Sequence, residues 1–281
     1  IDLEILRQNL SLLKRIKEKS NVKVLLALKA FSLKESAKLI SKYLDGVSAS
    51  GINEAIFGKK FFSGIVATYS PAFKEDEMPK ILSNSDHIVF NSINQLNKFL
   101  EIKKINKKVE IGLRINPIYS EVKAKKYKAA GNQSRLGIHI NQLKNINFDI
   151  VDGLHFHSLC EQNFSTLNRT WEKIYPKIKN YFKYLKWINL GGGHHITRDD
   201  YDVESLIKFL IKIKLESNCE IFLEPGEAVV FQSGIIVGEI LDFIKSTKKK
   251  VPNIAITDIS PTCHMPDVLE APYKPIMLNE T

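Results

Sequence analysis

The feature that most constrains the fold of this chain is a regular alternation of short apolar runs with segments whose apolar residues recur at helical spacing. Apolar residues three or four positions apart indicate amphipathic helices, as between Leu206 and Ile213, whereas short apolar runs bounded by polar residues indicate strands. Strands that alternate with helices predict a parallel sheet covered by helices. The eight predicted strands cover residues 22–29, 45–49, 64–69, 87–90, 109–115, 150–157, 187–190 and 220–225.

The length of this pattern helps to choose between two parallel architectures. Strand and helix alternate over about 225 residues, which is close to the roughly 250 residues of a typical (β/α)8 barrel. An open, doubly wound sheet is the alternative. We therefore predict an α/β protein with a TIM-like (β/α)8 barrel.

Composition places limits on the compartment and on metal binding. The chain has 281 residues, 44% of them hydrophobic and 26% charged, as is usual for soluble globular proteins. No apolar run approaches the roughly 20 residues that span a bilayer, and the first residues lack the apolar core of a signal peptide. We therefore expect a cytoplasmic protein. Three cysteines without CxxC spacing argue against both a disulfide framework and a zinc site.

The net charge of +10 raises the question of an anionic partner. The lysines are scattered over predicted helices and alternate with acidic and apolar residues, which favours a solvated surface. No aromatic-studded basic groove or nucleic-acid motif is present. We expect neither a nucleic-acid nor a membrane partner. From charge alone a basic RNA-binding or membrane-surface protein remains the alternative, and it would require binding that falls steeply with salt.

The ends of the predicted strands carry unusual side chains, and (β/α)8 barrels place their chemistry at the C-terminal ends of strands. The first strand ends at Lys29 after a nearly continuous apolar run. One interpretation is that the Lys29 amine reaches water while its methylene groups cover the core. The other is that desolvation makes the amine a nucleophile that forms a Schiff base.

Two further strand ends have features that are typical of cofactor sites. Gly191, Gly192 and Gly193 form either a flexible turn or a loop whose N–H groups surround a phosphate. Glu224 precedes a Pro-Gly turn and is either a surface carboxylate or the partner of a protonated ring nitrogen. A lysine nucleophile, a glycine phosphate loop and such a carboxylate are together the components of a pyridoxal 5'-phosphate (PLP) site.

Longer motifs resemble one enzyme superfamily along nearly the whole chain. The stretches LLALKAF, GLHFHSLC, GGG and EPG are similar to the cofactor-binding motifs of the alanine racemase and ornithine decarboxylase superfamily. Within it, HIVFNS, NLGGGHHIT and HMPDVLEAPY resemble the carboxynorspermidine (carboxyspermidine) decarboxylase family. The resemblance implies a PLP-binding barrel over residues 1–228 and a partial C-terminal β domain over residues 229–281.

The same resemblance implies catalytic roles for Lys29 and Glu224. Lys29 would carry PLP as a Schiff base, His157 would lie against the cofactor ring, and Glu224 would face the ring nitrogen. A carboxylate there favours the protonated ring, which is the form that accepts electrons from the bond to carbon dioxide. The enzyme would therefore be a PLP-dependent carboxy-lyase.

Further residues are expected around the cofactor. By resemblance, Gly191, Gly192 and Gly193 would hold the phosphate. Arg135, in the stretch SRLGI, matches a basic residue near the cofactor in relatives. Ser50, in the stretch SASG, either lines the phosphate side of the site or caps a helix.

Glu227 is the most informative position for the substrate. Diaminopimelate decarboxylases have EPGR where this chain has EPGE, so a carboxylate replaces the arginine that helps to bind a substrate carboxylate. An acid there attracts a distal ammonium group and repels a distal carboxylate. Asp267, otherwise a turn residue after a proline, is placed by the resemblance at the same end of the substrate.

These residues favour decarboxylation of carboxynorspermidine or carboxyspermidine to norspermidine or spermidine, a step of polyamine biosynthesis. The alternatives are a decarboxylase that acts on diaminopimelate or a similar amino acid, and a PLP-binding barrel without catalytic activity. Tight PLP absorbance without turnover of any amino acid would favour the second alternative.

The resemblance also implies a homodimer with shared active sites. Relatives complete each site with a partner segment that contains cysteine and aspartate in a CLAGD-like stretch, and this segment should follow APYKP. The sequence ends before it, and the first residue is not methionine. We therefore expect that these residues are part of a longer chain.

Overall fold

The computed structural model describes residues 1–101, 108–123, 127–248, 251–270 and 273–278. The chain divides into two compact units, Ile1–Ser233 and Gly234–Thr281. The boundary predicted from the sequence, between residues 228 and 229, falls inside a short helix at Glu227–Val230 and stays a prediction. No helix in the described ranges combines the length and the apolar character that a membrane span requires.

The first unit contains a closed barrel of eight parallel strands. Neighbouring strands pair in chain order, and the ring closes where the first strand pairs with the last. Closure excludes the open doubly wound sheet and confirms the predicted (β/α)8 barrel. All eight predicted strands are present; β4 has the predicted bounds, β5 is shifted by one residue, and the other six are shorter than predicted. They are β1 Lys23–Ala27, β2 Gly46–Ala49, β3 Ile65–Tyr69, β4 His87–Phe90, β5 Glu110–Asn116, β7 Gly153–His155, β8 Trp187–Asn189 and β9 Glu220–Leu223, while β6 Ile138–His139 is a two-residue strand beside β5.

Helices follow the strands, as the periodic pattern predicts. Apolar residues at helical spacing from Leu96 to Ile102 also predict a helical segment, and its last residue lies outside the described residues. In the first unit the α-helices are α1 Leu3–Ser20, α2 Lys34–Ile40, α3 Ile52–Phe61, α4 Met78–Asn84, α5 Ile93–Lys98, α6 Phe164–Ile178, α7 Val203–Ser217 and α8 Glu227–Val230. Short 3-10 helices cover Ile140–Asn145, Phe148–Ile150 and Lys179–Tyr184.

The helix α1 shows how local sequence determines these elements. The Asp2 carboxylate accepts a hydrogen bond from the backbone N–H of Glu4 at 2.8 Å and so caps the start of the helix. Leu6 and Leu10 follow at helical spacing, and both are fully buried. Because full burial of a leucine contributes roughly 1.5–3 kcal/mol, this apolar face fixes α1 against the rest of the unit.

The N-terminal end of the barrel is filled by side chains. The indole of Trp187 stacks on His87 at 4.9 Å between ring centroids, and Phe222 packs edge-on against both rings. A Cβ atom on Gly153 would lie 2.1 Å from the indole, so this position has room for glycine alone. The barrel interior is thus closed at this end.

The second unit is small. Its strands β10 Ile240–Ile244 and β11 Ile254–Thr257 form an antiparallel pair, and two short helices follow, α9 Pro261–His264 and α10 Pro266–Glu270.

Candidate active site

A cavity of about 540 Å³ opens among the residues that follow the barrel strands, a volume within the roughly 300–1,000 Å³ of ligand pockets. Every barrel strand except β4 contributes to its wall, directly or through the loop that follows. Those lining residues that carry polar side chains or belong to the glycine loop include Lys29, Ser48, Ser50, Tyr69, Arg114, His155, His157, Cys160, Glu161, Gly193, His194, Glu224 and Glu227.

Glu224 follows β9 and supplies a carboxylate to the cavity, with 11% of its side chain exposed. One carboxylate oxygen accepts a hydrogen bond from the Asn189 amide at 2.8 Å, and the other lies 3.3 Å from Nε2 of His155. Burial alone would raise the pKa of Glu224, but His155 and Asn189 outweigh burial and hold that pKa well below its ordinary value. The Asn189 hydrogen bond acts whatever the charge of His155, so Glu224 is an anion at neutral pH.

His155, the last residue of β7, lies beside this carboxylate and is 2% exposed. Burial lowers the pKa of its imidazole, although Glu224 opposes the shift, so the ring is neutral at pH 7. Neither ring nitrogen has a well-aligned hydrogen-bond partner among the described residues. Buried nitrogens of this kind are normally satisfied by protein, water or a ligand.

Arg114 and Tyr69 form a second polar contact in the cavity wall. The buried Arg114 guanidinium lies 4.6 Å from the centre of the Tyr69 ring, and it donates a hydrogen bond to the carbonyl oxygen of His157 at 3.0 Å. The ring nitrogen Nδ1 of His157 accepts a hydrogen bond from the N–H of Gly192 at 3.1 Å. In a neutral imidazole this leaves the proton on Nε2. His157 is therefore fixed from both its backbone and its ring.

Lys29 lies at the cavity, but not as the last residue of a buried strand. The strand β1 ends at Ala27, and Lys29 follows in a turn with its side chain exposed. The side chain of Lys29 is therefore not buried, unlike the amine of the second interpretation. The charge of Lys29 lowers the pKa of both His155 and His157, after the larger effect of burial on each, so the amine lies close to the two histidines.

The glycine run has a structural cause that the sequence does not reveal. A Cβ atom on Gly191, Gly192 or Gly193 would lie within 2.4 Å of a backbone carbonyl oxygen. The N–H of Gly191 donates to the Asn189 side chain, and that of Gly192 donates to His157. Of the three, Gly193 alone lines the cavity, and its N–H has no hydrogen-bond partner within the described residues. The loop thus brings one of its three predicted phosphate donors to the cavity.

Ser50 and Arg135 occupy different surroundings. Ser50 lines the cavity, and Gly51 rather than Ser50 holds the capping position of α3; a contact of Ser50 with the cofactor phosphate stays a prediction. Arg135 is exposed and outside the cavity lining, although its charge reaches Tyr69. Its carbonyl oxygen accepts a hydrogen bond from the Asn91 side chain at 2.9 Å.

The two predicted substrate residues lie in different units. Glu227, the first residue of α8, is exposed and lines the cavity. Asp267 is an exposed residue of the second unit, where its carboxylate accepts a hydrogen bond from the Tyr273 hydroxyl at 2.7 Å. Glu227 thus lies in the cavity wall of the first unit, and the role of Asp267 at the substrate stays a prediction.

Four residues of the site were recognised in the sequence only as polar residues near strand ends and were given no role, namely Tyr69, Arg114, His155 and Asn189. Tyr69, His155 and Asn189 are each the last residue of their strand, and Arg114 lies two residues before the end of β5. A polar side chain near the end of a buried run was the available signal. It did not reveal which of these side chains contact one another.

Comparison with known proteins identifies relatives of similar sequence. The carboxynorspermidine/carboxyspermidine decarboxylase of Campylobacter jejuni is 42% identical over 274 residues, which cover 98% of this chain and 70% of that protein. The carboxyaminopropylagmatine decarboxylase of a Synechocystis species is 34% identical over 276 residues, with the same shares of 98% and 70%. No protein-family model matches the chain.

Solved structures of decarboxylases share the fold of this chain. The carboxynorspermidine decarboxylase of Campylobacter jejuni in complex with norspermidine matches with a TM-score of 0.88 and 41% identity, over 96% of this chain and 69% of that one. The diaminopimelate decarboxylase of Helicobacter pylori in complex with L-lysine has a TM-score of 0.78 at 17% identity, over 92% and 69% of the two chains, which shows a common fold.

Fold and site thus define an enzyme of the barrel decarboxylase class. More narrowly, the chain belongs to the carboxynorspermidine/carboxyspermidine decarboxylase family. The predicted resemblance, the enzyme class and the assignment to decarboxylation in polyamine biosynthesis are confirmed.

Proposed function

We propose that this protein decarboxylates carboxynorspermidine or carboxyspermidine with PLP and releases norspermidine or spermidine. The observation that carries the proposal is an anionic Glu224 in the wall of a cavity that Lys29 also lines. Membership of the decarboxylase family supports the reaction type.

The residues of the cavity fit PLP. The buried nitrogens of His155 and the backbone N–H of Gly193 are polar groups that the described residues leave without a hydrogen bond. An exposed primary amine and a buried carboxylate complete a donor set that suits an aldehyde, a phosphate and a pyridine nitrogen. When bound, PLP supplies an electron sink for the electrons of the broken bond to carbon dioxide.

Each side chain then has a defined task. The Lys29 amine is exposed and can form the covalent bond to the cofactor aldehyde. The Glu224 anion would stabilise a proton on the ring nitrogen, because an opposite charge favours the protonated form. The neutral His157 ring, held by Gly192, would lie against the cofactor plane.

Gly193 and Ser50 are proposed to bind the cofactor phosphate. Gly191 and Gly192 would hold the loop in place through their bonds to Asn189 and His157, because their N–H groups are already used.

The carboxylate of Glu227 is proposed to bind the ammonium tail of the substrate. It lines the cavity, and a negative charge at this position repels a substrate whose tail ends in a carboxylate. Asp267 is proposed as a second acid for the tail on the basis of its motif. Arg135 is proposed to act near the cofactor only through its charge, since it is outside the cavity lining.

Release of carbon dioxide by the full-length holoenzyme tests the proposal. We expect turnover of carboxynorspermidine or carboxyspermidine, and rejection of meso-diaminopimelate. Efficient use of meso-diaminopimelate would instead support the diaminopimelate decarboxylase alternative. Cofactor absorbance without turnover of any of these acids would support a non-catalytic PLP-binding barrel.

A homodimer with shared active sites is the proposed assembly. Sedimentation of the active full-length enzyme under assay conditions tests it. A fully active monomer would contradict the proposal.

A further inference from the structure

Glu161 lies at the cavity in an unusual backbone conformation. Its φ of 52° is in the left-handed region, which glycine, asparagine and aspartate adopt far more readily than glutamate. Non-glycine residues held in this region cost of order 1–3 kcal/mol and are concentrated at functional sites. The position therefore calls for an explanation other than local preference.

The segment around Glu161 is fixed to the glycine loop. The N–H of Gln162 donates to the carbonyl of Gly193 at 3.2 Å, and the carbonyl of Gln162 accepts from the N–H of His195 at 3.0 Å. These bonds join the loop after β7 to the loop after β8. They hold the strained residue beside the cavity, where a flexible loop would relax.

The Glu161 carboxylate is available to a ligand. Across the described ranges it takes part in no hydrogen bond or salt bridge, unlike the Glu224 carboxylate, which accepts from Asn189. The guanidinium of Arg198 lies within electrostatic reach, but both of its hydrogen bonds go to Asp200, at 2.8 and 2.6 Å.

Glu161 and Glu227 both line the cavity, and the charges of both affect the same neighbouring residue, Cys160. After burial, the charges of these two carboxylates are the next causes that raise the pKa of the Cys160 thiol. The same cavity is lined by His194, which is 3% exposed and whose Nε2 has no partner among the described residues. This wall is therefore polar, desolvated in part and incompletely satisfied by the protein itself, as expected of a ligand site.

We infer that Glu161 is a specificity residue that acts together with Glu227, so that the two carboxylates bind the two cationic nitrogens in the tail of one substrate. Carboxynorspermidine carries a secondary and a terminal ammonium group beyond its amino acid end. Two acids, one in the loop after β7 and one at the start of α8, match this dication, whereas an amino acid with a single distal cation leaves one carboxylate unmatched. The inference rests on the proposed function and specifies its substrate class as amino acids with a dicationic tail.

The test compares two substrates in the full-length holoenzyme. One is carboxynorspermidine, and the other is its methyl analogue, the same acid with a methylene group in place of the secondary ammonium and a methyl group in place of the terminal ammonium. We expect Glu161→Gln to reduce kcat/KM for carboxynorspermidine by roughly tenfold to a hundredfold, the loss typical of one charge-assisted hydrogen bond. The loss should appear in KM, because the contact is equal in ground and transition states. The preference over the methyl analogue should fall, while the cofactor spectrum stays unchanged.

Two further variants separate recognition from a structural role. Glu161→Asn suits the left-handed conformation, so we expect an unchanged or higher melting temperature together with the same loss of preference. Glu216→Gln, on the exposed face of α7, is the matched control and should change neither quantity.

The outcomes are distinct. If the wild type decarboxylates carboxynorspermidine and Glu161→Gln keeps the full preference for the dication, the inference is wrong and the proposed function stands. If Glu161→Gln lowers kcat/KM equally for both substrates and Glu161→Asn unfolds at a lower temperature, the role of Glu161 is structural and the inference is again wrong. If the wild type does not use carboxynorspermidine, the proposed function itself fails, and the inference fails with it.

Discussion

Two buried histidines at opposite ends of the barrel each lie beside a carboxylate, but the residues around the two pairs are very different. His87 begins β4, and its Nε2 lies 3.5 Å from the carboxylate of Glu110. His155 ends β7, and its Nε2 lies 3.3 Å from the carboxylate of Glu224. In both cases burial lowers the pKa of the imidazole and the nearby acid opposes the shift.

The difference lies in what covers each pair. Trp187 stacks on the His87 ring at an interplanar angle of 3°. His155 instead lines an open cavity, and its nitrogens lack well-aligned partners among the described residues. A buried histidine beside a carboxylate therefore does not by itself mark an active site. The cavity and the unsatisfied nitrogens make the distinction.

Substitution of Trp187 tests the structural end of the comparison and has the largest expected effect. Trp187→Ala should reduce the free energy of unfolding by about 3–5 kcal/mol, because it leaves a cavity among the side chains that fill the barrel. Chemical denaturation measures this loss. An unfolding free energy within 1 kcal/mol of wild type would show that the filled end of the barrel is not a packed core.

Substitutions of Glu224 and Glu110, the acids beside the two histidines, test the end of the barrel that carries the cavity. Glu224→Gln should leave PLP bound but slow turnover by roughly a hundredfold or more, the scale found when one electrostatic group is removed from a catalytic site. Glu110→Gln, at the filled end, should leave turnover unchanged. The measurements are the rate of carbon dioxide release and the cofactor spectrum. Equal rates for the two variants would remove Glu224 from the mechanism.

Charge at Glu227 has the next largest effect. Glu227→Gln should lower kcat/KM for carboxynorspermidine by roughly tenfold to a hundredfold. Glu227→Arg adds repulsion and should lower it further, with the cofactor spectrum intact. Steady-state kinetics on both variants checks this expectation. An arginine variant with wild-type KM would show that the substrate tail lies elsewhere.

Acid should destabilise the protein through its buried histidines, and the expected change is the smallest. Burial lowers the pKa of His194 to about 4, whereas a histidine in the unfolded chain has an ordinary pKa of about 6.5. Between these values the unfolded state binds more protons, so stability is full above pH 6.5 and falls as the pH drops toward 4. His194→Phe should reduce the loss between pH 7.5 and pH 5 by roughly 1–2 kcal/mol. An unchanged pH dependence of unfolding in this variant would contradict a neutral buried His194.

Much of the fold could be predicted because the alternating pattern depends on local residue order. The eight apolar runs correspond to the eight barrel strands. The first strand was predicted to end at Lys29, but it ends two residues earlier, at Ala27. A polar residue after a buried run does not indicate where regular pairing stops. Strand ends were therefore the least accurate part of the prediction.

The candidate site was predicted where residue type suggests a chemistry, as for Lys29 and Glu224, or where a family motif does, as for His157 and Glu227. Lys29, His157, Gly193, Glu224 and Glu227 all line the cavity. The internal bonds of Gly191 and Gly192, and the buried cation of Arg114, depend on contacts between different strands. Contacts between different strands cannot be predicted from residues that are adjacent in the sequence. The unusual backbone of Glu161 is likewise a property of the folded loop, since glutamate has no preference for it.

The most direct test of the central claim, that the open end of the barrel is a PLP site built on Lys29, is borohydride reduction of the full-length holoenzyme followed by peptide mapping. Reduction fixes the cofactor to the lysine that carries it. The account predicts a pyridoxyl group on Lys29, and no label after Lys29→Ala, while the exposed neighbour Lys34 can be replaced by alanine without loss of label. A pyridoxyl group on any other lysine would contradict it.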